Sequence, residues 1–301
     1  MAEEVWMLQT KKADFKQIGA RFRIDPVTAR IIRNRGIEGE AAIDRYLNGT
    51  LDDLYDPMLL KDMERAVSIL CEAVDTGKKI RIVGDYDIDG VCSTYILLQA
   101  FERLGSDVDF EIPDRIKDGY GINESIIEQA HADGVEVILT CDNGISAFHQ
   151  VELAKKYGMT VVITDHHEVP LDGEKEKIPP ADAVIDPKQA DCPYPFPEIC
   201  GAVVAYKLVQ VLYARRGVPQ MEWLDLLEFA AIATVGDVMK LQDENRILVK
   251  YGLKKMAQTK NLGLRRLAEK NNLDLGAITA YHIGFVIGPC LNAGGRLKTA
   301  K

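Results

Sequence analysis

Short runs that are apolar at nearly every position punctuate the chain: IRIVG (80–84), VDFEIP (108–113), VEVILT (135–140), TVVIT (160–164) and ADAVID (181–186). Strands that do not alternate between apolar and polar residues suit a parallel sheet, because helices cover both of its faces. Helical spacing occupies several of the intervals, at 91–104, 123–133 and 145–157. Another helix is predicted over 63–77, with Ala66, Ile69, Leu70 and Ala73 on one side and Gly77 as its C-cap. Alternating strands and helices predict an α/β fold, a doubly wound, mainly parallel β-sheet flanked by helices. Beyond residue 198 the pattern becomes helical in three stretches, GAVVAYKLVQVLYARRG, MEWLDLLEFAAIATVGD and ENRILVKYGLKKMAQ, whose apolar stripes read as core. Residues 1–50 read as a polar, helical N-terminal extension. In it Asp25 caps, and Pro26 starts, one helix of a short pair. LDDLYDPMLL (51–60) reads as a connector, and 51–301 as the main domain.

Composition narrows the class. With 301 residues, 47% hydrophobic and 28% charged, the chain can bury a sizeable core. No apolar run approaches the roughly 20 residues that span a bilayer, and the acidic start lacks an apolar signal core, which predicts a cytoplasmic protein with no membrane partner. The six cysteines include no CxxC pair, so neither a zinc knuckle nor a disulfide framework is expected, and all six are read as buried thiols. A net charge of −9 argues against broad nucleic-acid binding unless acids that hold cations change the balance locally.

The acids fall in an informative place. Asp85, Asp87 and Asp89 follow the first strand run, Asp142 and Asn143 the third, and Asp165, His166 and His167 the fourth. In open α/β sheets the carboxyl ends of the strands form the crevice that binds ligands. Two carboxylates about 4 Å apart repel by about 4 kcal/mol at an effective dielectric near 20, so converging acids call for cations. Carboxylates with an imidazole suit Mn²⁺ or Mg²⁺, and alternate positions could place Asp87 and Asp89 on one ion while Gly90 lets the backbone turn. DYDIDG follows a strand and lacks the Glu of an EF-hand loop.

Taken together, GDYDIDG (84–90), CDNGIS (141–146), TDHHE (164–168), ATVGDVMKL (233–241) and GPCLNAGGRL (288–297) resemble, in order and spacing, the motifs of the DHH phosphoesterase superfamily. The similarity runs over roughly residues 20–301. By that resemblance Asp87, Asp89, Asp142, His166 and Asp237 are ligands of two Mn²⁺ or Mg²⁺ ions, with Asp142 bridging, and Asp85 is a further ligand or backs one. It also implies that His167 acts as acid/base or phosphate contact and that Asp165 orients an imidazole. Asn292 and Arg296 would belong to a phosphate-gripping loop, and Arg115 and Tyr120 to a loop contacting nucleic acid. Position 290 is Cys where many relatives carry Arg. A second, DHHA1-type domain is expected to be absent from this chain, leaving 51–301 as the catalytic domain.

The implied activity is two-metal hydrolysis of phosphodiesters, as a 5′→3′ exonuclease on single-stranded DNA in repair and recombination, beside partners such as a helicase or a single-strand-binding protein. No G-x-S-x-G elbow suggests a covalent route. Two alternatives remain: a phosphodiesterase of the same superfamily acting on short oligonucleotides or cyclic dinucleotides, and a non-catalytic binding protein of the same descent.

Overall fold

The computed structural model describes residue 7 and residues 11–115, 119–297 and 300, except the side chains of 296 and 297. The chain divides into two compact units, Met1–Leu54 and Tyr55–Lys301.

The first unit holds α1 (Phe15–Phe22), α2 (Pro26–Asn34) and α3 (Glu40–Asn48). Asp14 accepts from the Gln17 amide at 2.9 Å and Asp25 from the Val27 amide at 2.7 Å, the N-cap bonds that satisfy open helix donors. Ile32, Ile43 and Tyr46 are buried, with Ile18, Phe22, Ile24, Ile37 and Leu47 packed around them. A third helix therefore joins the expected pair, because Ile43, Tyr46 and Leu47 supply the apolar side that a lone helix pair would leave uncovered.

In the second unit, α4 (Met63–Thr76) precedes β1 (Ile80–Val83), α5 (Ile88–Arg103), β2 (Val108–Glu111), α6 (Glu124–Ala132), β3 (Val137–Cys141), α7 (Phe148–Lys156) and β4 (Thr160–Thr164). A small hairpin, β5 (Leu171–Asp172) and β6 (Lys175–Glu176), leads to β7 (Ala183–Ile185). The helical remainder comprises α8 (Gly201–Arg215), α9 (Gln220–Leu224), α10 (Leu227–Gly236), α11 (Asp243–Met256) and α12 (Leu262–Lys270). Then α13 (Ala280–His282) runs through a π-helical segment, Ile283–Ile287, into α14 (Gly288–Leu297).

The main sheet is parallel throughout, in the order β2-β1-β3-β4-β7. The chain leaves β1 toward β2 on one side and returns to β3 on the other, so the direction of winding reverses between β1 and β3. That reversal opens a crevice at the carboxyl ends of the strands. β1, β3 and β7 are buried throughout, as non-alternating apolar runs require. β2 differs from that expectation: it lies at the sheet edge, only partly covered, and carries Asp109 and Glu111. On one face Ile127, Ala130, Val151 and Ala154 pack against Val83, Ile138, Val161 and Ile163. α5 and α8 pack on each other and against β3. α10 is buried from Leu227 to Thr234, apolar along that stretch except for Glu228 and Thr234. The expected MEWLDLLEFAAIATVGD helix is broken into α9 and α10 around Asp225 and Leu226. Four cysteines are buried, but Cys192 is half-buried and Cys290 exposed, contrary to the reading of all six as core thiols. Among the described residues no helix is long and apolar enough to cross a membrane.

Candidate metal centre

β1 hands over to the site within four residues. Asp87 is the N-cap of α5, and its Oδ1 accepts from the amides of Asp89 (2.9 Å) and Gly90 (3.1 Å). Asp89 then lies in the first turn of α5, and its carboxylate crosses to the start of α8. There Oδ2 accepts from the Gly201 amide at 2.6 Å and Oδ1 from the Ala202 amide at 2.8 Å. Donors at the positive end of a helix offset part of the cost of burying this carboxylate. Gly90 does not serve as a turn; its φ is not positive. It supplies room, because a Cβ there would stand 2.4 Å from the Asp85 carbonyl oxygen.

Asp142 follows β3 in the left-handed region, φ 60°, which aspartate tolerates better than most residues. Its carbonyl accepts from the Tyr120 hydroxyl at 2.8 Å. Next to it the buried Asn143 donates to the carbonyls of Val83 (3.0 Å) and Cys141 (2.9 Å) and accepts from the Ile122 amide (3.2 Å). One carboxamide thus ties the ends of β1 and β3 across the reversal of winding.

After β4, the buried Asp165 accepts from the amides of Ile145 (2.9 Å) and His166 (2.7 Å), and its Oδ1 lies 2.7 Å from His167 Nδ1. The imidazole that Asp165 orients is therefore His167, its half-buried neighbour. His166 turns inward: its Nε2 lies 3.0 Å from Asp142, 3.4 Å from Asp89 and 3.9 Å from Asp237. Asp237 arrives as the C-cap of α10.

Three groups of donor atoms, each within 4.8 Å, result: Asp85, Asp87 and Asp142; Asp89, His166 and Asp237; and Asp142, His166 and His167. Asp142 and His166 are shared between groups, so seven of the expected site residues form one continuous set. Asp87 and Asp89, expected on one ion, fall in different groups.

The electrostatics mark the set as incomplete by itself. Burial, then the Asp87 charge, pushes the Asp85 carboxyl up to about 7. Burial, then Asp89 and Asp87, does the same to Asp237, also to about 7. Asp142 is driven well above the carboxylate range by burial and by Asp89, Asp87, Asp165 and Asp85. Burial lowers His166, whereas the bond to Asp165 raises His167. Among the described residues no lysine or arginine pairs with these carboxylates. Asp85 Oδ1 and His166 Nδ1 are buried without a hydrogen-bond partner. Oxygen donors with an imidazole, converging and unneutralised, fit a hard divalent cation.

The remaining expected residues sit around this set in other ways. GPCLNAGGRL is helix α14 rather than a Gly-rich loop. Asn292 Oδ1 accepts from the Ile88 amide at 2.8 Å, so it adds a cap to α5. The side chain of Arg296 lies outside the described residues. Arg115 stacks its guanidinium over the Tyr86 ring, 5.1 Å from the centroid. Tyr120 reaches the centre itself, against both Asp142 and His167. Asn143, read only as a polar residue of the rim, ties strand ends together, and the Gly201 and Ala202 amides escaped the sequence reading, since a backbone donor carries no side-chain signal and ICGAVVAY reads only as core. Asp186 was also missed, although it ends the fifth strand run just as the other rim acids end theirs; it is fully buried, and burial, then Asp165, raises it to about 7.

A doubly wound sheet whose carboxyl rim collects carboxylates and an imidazole from four segments defines an α/β protein built around a divalent-cation centre. The chain belongs to the DHH family: the model of the DHH family, N-terminal domain, matches residues 79–234, just over half of it. It is 37% identical over 296 residues to the single-stranded-DNA-specific exonuclease RecJ of Bacillus subtilis, covering 98% of this chain and 36% of that protein. The fold superposes on RecJ of Thermus thermophilus in complex with Mn²⁺ (TM-score 0.77, 31% identity, 95% of this chain and 39% of that one). It also superposes on an exonuclease RecJ bound to manganese (TM-score 0.70, 35% identity, 80% of this chain and 59% of that one). The chain spans less than half the length of each of the curated relatives.

Proposed function

We propose that this chain carries the catalytic centre of a phosphodiester hydrolase that removes nucleotides from the 5′ end of single-stranded DNA with two Mn²⁺ or Mg²⁺ ions. One observation carries the reading: Asp85, Asp87, Asp89, Asp142, His166, His167 and Asp237 form overlapping donor groups that share Asp142 and His166, and among the described residues no lysine or arginine pairs with their carboxylates. Asp85, Asp87 and Asp142 would hold one ion, and Asp89, His166 and Asp237 the other. Bound there, the ions would supply Lewis-acid chemistry, making water more acidic and offsetting the charge of a phosphate.

The protein's own groups do the rest. Asp165 holds His167 by Nδ1, and that bond raises the proton affinity of the ring, which suits donation to a leaving oxygen or to a phosphate. Tyr120 braces the Asp142 carbonyl, and Asn143 keeps the two strand ends together. Substrate class rests on the likeness to the single-stranded-DNA-specific RecJ exonucleases. Polarity, the cytoplasmic setting in repair and recombination and the partners, a helicase or a single-strand-binding protein, are the expectations that the motif resemblance implies.

The test uses one strand labelled in turn at either end, with Mn²⁺ added. Early loss of the 5′ label, sparing of duplex and no reaction in chelator are expected. Early loss of the 3′ label would refute the polarity, and an intact strand beside a cleaved dinucleotide would favour the short-substrate alternative.

A further inference from the structure

Charge is segregated within the first unit. Residues 11–35 carry eight lysines and arginines against two aspartates, a net +6 in a chain of net −9. Residues 36–54 carry five acids against one arginine. Both aspartates of the basic stretch, Asp14 and Asp25, are engaged as helix caps. Of the cations, Arg21 and Arg33 pair with Glu40 and Glu38 on the acidic side. Lys11, Lys12, Lys16, Arg23 and Arg30 are exposed and pair with no described acid. Like charges left unpaired in so short a segment repel, and nothing in the packing of Ile32, Ile43 and Tyr46 requires them.

Two of these cations, Lys16 and Arg30, line a groove. The start of α1 and the start of α2 bound a cavity of about 640 Å³ lined by Phe15, Lys16, Pro26, Val27 and Arg30, together with the capping Asp14. Arg30 lies over the Phe15 ring at 4.5 Å from its centroid, and Val27 at its edge is 63% exposed. A cationic groove with an aromatic ring and apolar floor suits a single nucleic-acid strand, whose phosphates seek the cations and whose bases seek the flat apolar surface.

We infer that the Met1–Leu54 unit is a nucleic-acid-binding surface that grips the phosphodiester backbone of a single strand through Lys12, Lys16 and Arg30. The inference deepens the function proposed above and rests on it for the choice of a single strand. No base is read; the grip is independent of nucleotide sequence.

The experiment uses the full chain with Lys12→Gln, Lys16→Gln and Arg30→Gln combined, and a fluorescein-labelled oligo-dT of about 20 nucleotides. Binding is followed by anisotropy in chelator, where hydrolysis is off, across a salt series. The triple variant is expected to bind about tenfold or more weakly at 0.1 M salt, and its salt slope to fall by about 2, since each lost phosphate contact on a single strand removes about 0.7. Lys16→Arg with Arg30→Lys should restore most of both. An unchanged thermal midpoint shows that the variant folds, and unchanged Mn²⁺-dependent turnover of a dinucleotide shows that the loss lies in strand binding. Equal affinity and slope in variant and parent would overturn the inference. So would displacement of the oligonucleotide by phosphatidylserine vesicles at matched charge, which would assign the face to a membrane. A parent that binds the strand but hydrolyses nothing would count against the proposed activity alone, leaving the binding surface standing.

Discussion

Strand β1 begins beside one cluster of charge and ends beside another. At its start Arg81, buried within the sheet, makes two bonds to Asp109 (2.7 and 2.8 Å) and one to Asp133 (2.8 Å). Although burial opposes it, the bond from Arg81 holds Asp109 below the usual carboxylate range, and Asp133 is lowered chiefly by the same guanidinium. At the other end, about 13 Å along the strand direction at 3.3 Å per residue, Asp85 opens a set of acids that are raised rather than lowered. Both ends bury charge, and only one meets it with the opposite sign: the buried Arg81, with Lys79 3.4 Å from Asp109, is matched by a half-buried and an exposed carboxylate, whereas the rim acids pair with no lysine or arginine among the described residues. The neutral cluster completes the fold; the unneutralised one keeps its coordination open for a cation supplied from outside.

Exchanging the roles of the two ends gives the sharpest test. Asp142→Ala removes the residue shared between donor groups, and hydrolysis should fall by close to 10⁴-fold, about 5 kcal/mol of transition-state stabilisation. In metal-free buffer the same variant should be at least as stable as the parent by urea titration; a large loss of stability there would show that the acids are structural like those around Arg81. Arg81→Ala should do the reverse. Removing the buried guanidinium, which leaves the half-buried Asp109 without its partner, should cost about 1–3 kcal/mol of stability, while activity per folded molecule stays near that of the parent.

A smaller effect separates the ends by pH. Asp85, Asp237 and Asp186 have folded-state values near 7, above those of an unfolded chain. The folded protein therefore binds more protons than the unfolded one between about pH 4 and 7, and metal-free stability should fall as pH rises through that window. Mn²⁺ relieves the acids that it contacts, so its stabilisation should be larger at pH 8 than at pH 6, by about 1–2 kcal/mol or a few degrees of melting temperature. A Mn²⁺ effect equal at both pH values would mean that the raised acids do not face the ion.

Much of this was legible in order along the chain. Non-alternating Val/Ile runs marked β1, β3, β4 and β7 because a strand covered on both faces must be apolar on both. GPCLNAGGRL misled for a local reason: three glycines and a proline favour a loop, yet here glycine serves close packing. A Cβ at Gly295 would stand 2.5 Å from the Tyr86 carbonyl oxygen, and at Gly288 2.9 Å from that of Ile283. Burial against α5 overrides weak helix propensity. Tyr120, expected in a loop contacting nucleic acid, carried no signal of its tie to the centre, because only the folded chain brings its hydroxyl 2.8 Å from the carbonyl of Asp142, 22 residues on.

The sequence by itself determined that the acids would meet. In a parallel sheet every strand ends on the same rim, so Asp85, Asp142 and Asp165, each placed just after a strand, had to arrive together. Tertiary structure decided which of them share a cation. At about 100° per residue, entry into α5 turns Asp89 roughly 200° from Asp87. That sends Asp89 toward α8, His166 and Asp237 and leaves Asp87 with Asp85 and Asp142, a partition no linear spacing of residues could reveal.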